Sequence, residues 1–66
     1  MITLCNIIDH YNPNKYVEII WDKPDHEGSF DAYSGLIMHV NNSLLCKKVL
    51  YLDNSNAFLH VVLEKY

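Results

Sequence analysis

The sequence predicts an α+β domain: one short N-terminal helix packed on an antiparallel sheet of three or four strands. Three observations carry that prediction. Apolar residues recur at helical spacing near the N-terminus, at Leu4, Ile7, Ile8 and Tyr11. Two segments, 16–21 and 57–64, alternate in the manner of strands. Residues 53–56, Asp-Asn-Ser-Asn, form a run of turn formers between apolar segments and so mark a hairpin.

Taken in order, Thr3 suits an N-cap, and the stripe from Leu4 to Tyr11 spans two to three helical turns. Asn12-Pro13-Asn14 stops it, because proline cannot continue a helix. A helix this short needs a partner surface. The first strand covers residues 16–21. Val17, Ile19 and Trp21 point one way, and Tyr16, Glu18 and Ile20 the other. Large apolar groups on both sides predict a central or doubly covered strand. Residues 22–29 form a polar loop with Pro24 and Gly28.

Residues 30–34 read as the second strand, with Phe30, Ala32 and Ser34 opposite Asp31 and Tyr33. Gly35 bends the chain. Residues 36–46 read as an extended stretch, then a helical turn capped by Asn42 or Ser43. The hairpin pairs 49–52 with 57–64. On its last strand Ala57, Leu59, Val61 and Leu63 form a uniformly apolar face that covers the helix. Phe58, His60, Val62 and Glu64 form a mixed face. Tyr33, Tyr51, Phe58 and Tyr66 are expected on that mixed side.

Sixty-six residues bound the chain to one domain, 1–66. A domain of that size buries only about 60% of its unfolded surface, so its stability is marginal and association is a common remedy. Net charge is −3 and arginine is absent. Arginine dominates specific contacts to bases and phosphates, and only Lys47 and Lys48 of the five lysines are adjacent. Direct nucleic-acid binding is therefore disfavoured. No apolar run approaches the ~20 residues of a membrane span, and no secretory leader is expected at the N-terminus. Cys5 and Cys46 read as reduced, semi-buried thiols of a cytoplasmic protein.

The candidates for chemistry are sparse. Asp22, Asp25, Glu27 and Asp31 gather four of the eight acids between the rings of Trp21 and Tyr33. Carboxylates beside aromatics suit a protein partner with a basic surface, since rings supply contact area and charges steer. The partner-binding set is Trp21, Asp22, Asp25, Glu27, Asp31 and Tyr33. Phe58, His60 and Val62 on the mixed face are the expected homodimer surface. Asp25-His26-Glu27 offers three ligand types, but adjacent residues diverge, so no metal is assigned. Cys46 with His60 or His39, and Glu18 with Asp31, are chance pairs rather than a catalytic pattern. With only two glycines, no amide cradle for phosphate is built. No cofactor and no enzymatic activity are expected.

The order of a short helix ending in a proline turn, then YVEII, AYSGLI and KKVLYLDNSNAFLHVVL, resembles very small single-domain proteins of phages and prophages of AT-rich bacteria. The resemblance spans nearly the whole chain and rests on apolar positions and turns. It implies a protein that binds and inhibits a host or bacterial defence protein, in the manner of an anti-CRISPR, in the host cytoplasm. No site residues come with it. The sequence therefore reads as a non-catalytic protein-binding module. Two alternatives stand beside it. One is a nucleotide or small-molecule sponge using Lys47, Lys48 and tyrosines at an oligomer interface. The other is a small virion or assembly protein.

Overall fold

The computed structural model describes residues 2–54 and 57–66. Met1, Ser55 and Asn56 lie outside the described residues, and with the latter two goes half of the expected hairpin turn.

Helix α1 spans Leu4–Ile8. Thr3 stands before it in extended conformation, and its N–H and hydroxyl both donate to Asn6 Oδ1, at 3.1 and 3.0 Å. Beyond Ile8 the chain continues only as single turns, His10 N–H to the Ile7 carbonyl and Tyr11 N–H to the Ile8 carbonyl. The helix is thus shorter than its apolar stripe. The Asn14 N–H closes on Asn12 Oδ1 at 2.8 Å, so the side chain of Asn12 competes for the backbone where the helix would have run on. The stripe still packs: Leu4 is fully buried, and Ile8 and Tyr11 lie against the core.

Four strands follow the sequence order β1 Tyr16–Trp21, β2 Asp31–Leu36, β3 Val49–Asn54 and β4 Leu59–Leu63. They form one sheet ordered β2-β1-β4-β3. β1 pairs antiparallel with β2, and β3 antiparallel with β4. The inner strands β1 and β4 are parallel, so the sheet is mixed rather than purely antiparallel. Two local hairpins lie side by side. The connection between the edge strands β2 and β3 carries a 3₁₀ turn, Ile37–His39, and helix α2, Asn42–Leu45. Asn41 caps α2 by accepting from the Ser43 N–H at 2.9 Å, one position before the caps expected.

The core is one cluster: Leu4 from α1, Val17 and Ile19 from β1, Ile37, Leu44 from α2, and Leu59, Val61 and Leu63 from β4. Both helices and the 3₁₀ turn therefore cover one face of the sheet. Ile20, Phe58 and Val62 on the other face lie outside this cluster. Of the two readings of β1, central or doubly covered, the sheet shows the first: β1 is an inner strand with the core cluster on one side.

Two bulges set which side chains face where. Ile19 opposes Tyr33 and Ile20 opposes Asp31, so Ala32 is the extra residue of β2. This slip turns Tyr33 toward the core and leaves Asp31 on the open side. Gly35 lies inside β2, at φ +155°, with the Tyr33 hydroxyl donating over it to the Leu36 carbonyl at 2.7 Å. On β3, Val49 opposes Leu63 and Tyr51 opposes Val62, which makes Leu50 the extra residue. The N-terminal segment runs along the start of β3. Val49 N–H donates to the Ile2 carbonyl and Leu4 N–H to the Lys47 carbonyl. Cys5 and Cys46 are both free and exposed, not semi-buried. Cys5 follows the buried Leu4 in α1, and Cys46 is the residue that ends α2, its Sγ 3.6 Å from the Ser43 carbonyl.

Candidate functional site

The loop between β1 and β2 is built by its own acids. Asp25 Oδ1 accepts from the N–H groups of Glu27 at 2.8 Å and Ser29 at 3.0 Å. Gly28, at φ +86°, closes the turn onto the Asp25 carbonyl. The N–H of Ser29, and then that of Glu27, hold the Asp25 carboxyl below the ordinary aspartate range. Asp22 Oδ1 accepts from the Lys65 N–H at 2.9 Å and pins the C-terminal segment beside β4. These two carboxylates hold backbone in place.

The predicted partner-binding residues therefore do not converge. Trp21 packs against the core, with Lys47 Nζ 5.8 Å from its ring centroid, and Tyr33 packs there too. Glu27 is exposed at the loop tip, 4.0 Å from His26. Asp31 lies on the open face of the sheet. Lys47 also donates to the Lys65 carbonyl at 3.4 Å, and Lys48 lies opposite Thr3, so the two adjacent lysines form no common anion site.

The open sheet face does gather residues into rows. One row, fixed by strand register, reads Ser34, Glu18, His60, Asp53. Glu18 Oε1 lies 3.4 Å from His60 Nδ1, and their side chains remain 45% and 37% exposed. A contact so open to water contributes little stability. The next row reads Asp31, Ile20, Val62, Tyr51. On the other flank Tyr16 and Phe58 meet edge to face with centroids 5.7 Å apart, and Phe58 lies 4.8 Å from the His60 ring. Phe58, His60 and Val62, read from the sequence as one surface, are indeed neighbours here.

Between the two rows lies a trough of about 310 Å³, lined by Glu18, Ile20, Tyr51, Asp53, His60 and Val62. No family model, curated protein or solved structure matches the chain. The molecule's own surfaces are thus the guide to what it does. A second, wider cleft of about 430 Å³ lies between Ile8, Asp9 and Tyr11 on one side and Met38, Val40 and Leu45 on the other. Among the described residues, Asp9 is its one charged lining residue. Among the described residues no three of the His, Cys, Asp or Glu side chains converge on a metal-sized position. No described helix is long and apolar enough to cross a membrane.

Sequence reasoning missed Glu18 and Asp53 as members of the surface. The alternation of β1 already put Glu18 beside Ile20. Asp53 was hidden because it belongs to a run of turn formers yet sits inside β3.

Proposed function

We propose that the chain is a non-catalytic protein-binding module that docks through its open sheet face onto a partner with a basic surface. The observation that carries this reading is the uncovered face itself. It presents Tyr16, Ile20, Tyr51, Phe58 and Val62 together with Asp31, Glu18 and Asp53, and no lysine occupies any of its strand positions. Rings and carboxylates in one patch give contact area and steering to a cationic partner. The resemblance to small phage proteins makes a host or defence protein the partner class, with the chain acting as its inhibitor in the host cytoplasm.

The test uses three tagged baits in lysate of a bacterial host: the wild type, a Tyr16→Ser/Tyr51→Ser variant, and a Glu27→Gln loop variant. A protein identified by mass spectrometry with the first and third baits, and absent from the second, supports the reading. Loss with the loop variant alone moves the contact to the loop. Recovery of no protein by any bait sinks the binding module.

A further inference from the structure

The trough on the open face has a chemistry more particular than an acidic patch. Its floor is apolar, made by Ile20 and Val62, with the exposed Tyr51 ring along one side. The polar row beside it places Glu18 on β1 and Asp53 on β3, with His60 of β4 between them. Strands lie about 4.8 Å apart, so the two carboxylates stand roughly 10 Å from each other across the sheet. Asp31 closes the β2 end of the apolar row.

Resting on the protein-binding reading, we propose that this trough seats one apolar side chain of a partner protein whose neighbours are lysine or arginine. The apolar group lies on Ile20 and Val62. The flanking cations meet Glu18 and Asp53, with Tyr51 offering its ring face to one of them. Charge selects this occupant over a second copy of the chain. A face-to-face pair of copies would bring Asp31, Glu18 and Asp53 of both onto one interface, an accumulation of like charge with no lysine on either face to offset it. It also selects against nucleic acid, whose phosphates would meet those three carboxylates. The trough is too open to enclose a small molecule, since pockets for such ligands bury most of the ligand surface.

The test is an NMR titration of the 15N-labelled protein with blocked eight-residue peptides of alternating residues. One alternates leucine and arginine, one leucine and glutamate, and one serine and arginine. The leucine–arginine peptide should shift the amides of Ile20, Tyr51, Asp53, His60 and Val62. The other two should bind at least about tenfold more weakly. The Glu18→Gln/Asp53→Asn variant, checked for an unchanged fold by its dispersed spectrum, should lose about tenfold in affinity for the first peptide.

Equal binding of the leucine–glutamate peptide overturns the proposal. So does an absence of shifts at millimolar peptide. Shifts centred on Glu27 or on the cleft beside Met38 overturn the trough while leaving the binding module standing. Concentration-dependent shifts of the same amides without peptide assign the face to a second copy, and overturn it as well.

Discussion

Gly35 is the position where backbone and side chain constrain each other most tightly. Its φ of +155° lies outside the region that L side chains adopt readily, and a Cβ there would stand 2.6 Å from the Tyr33 hydroxyl and 3.0 Å from the ring carbon that bears it. The ring of Tyr33 takes the place of the missing side chain, and its hydroxyl is held by the Leu36 carbonyl. Gly35→Ala should therefore destabilise the fold by about 1–3 kcal/mol, through strain and displacement of the ring. Tyr33→Phe should cost about 1 kcal/mol through loss of one hydrogen bond. The two should not add. With the hydroxyl gone, the nearest atom to the new Cβ is gone too, so the double variant should be more stable than the sum of the singles predicts. Urea unfolding of the four proteins gives the coupling directly, and strict additivity would show that the ring does not rest on Gly35 in solution.

At the scale of elements, the β1–β2 loop is a unit whose stability follows the ionisation of Asp25. That carboxyl titrates below its ordinary range in the folded chain, because the N–H groups of Ser29 and Glu27 favour its charged form. The unfolded chain consequently takes up this proton first as pH falls. The contribution is complete above the ordinary aspartate range, about pH 4, and is lost as pH drops through the lower folded value. The stability of the wild type should then decline more steeply below about pH 4 than that of Asp25→Asn, as read from denaturant midpoints. Parallel declines would mean that the loop is not closed on Asp25. None of this was legible in the spacing of the acids, which suggested four carboxylates free to meet a partner. A carboxylate that caps its own loop looks in sequence like one that faces solvent. The strands were legible for the opposite reason. Alternation in β4 reports burial on one face, and it assigned Leu59, Val61 and Leu63 to the core correctly. The pairing of β1 with β4 was not legible, because a parallel neighbour 42 positions away (Val17 with Leu59) leaves no local signal. The face of Tyr33 was misjudged because a bulge at Ala32 reverses the alternation beyond it.

For the whole molecule, the contrast between its two faces decides what it can do. Native proteins hold about 0.05–0.15 kcal/mol of stability per residue, or roughly 3–10 kcal/mol for a chain of this length. Among the described residues, eight buried side chains on one side of the sheet must supply most of it. The other side adds little stability yet retains large apolar groups. Such a pairing is expected when those groups serve an encounter rather than the fold. Val61 and Val62 are adjacent in β4 and point to opposite sides, Val61 at 1% exposure in the core and Val62 half-buried on the open face. Val61→Thr, which keeps shape but places a hydroxyl among apolar neighbours, should cost about 1–3 kcal/mol. Val62→Thr should stay within about 0.5 kcal/mol, since water still reaches it. Equal losses would mean that the open face is covered in solution. The cover would then be a second copy, and the unfolding midpoint of the wild type would rise with protein concentration. A midpoint independent of concentration, with Val62→Thr neutral, leaves the face unoccupied and available to a cationic partner.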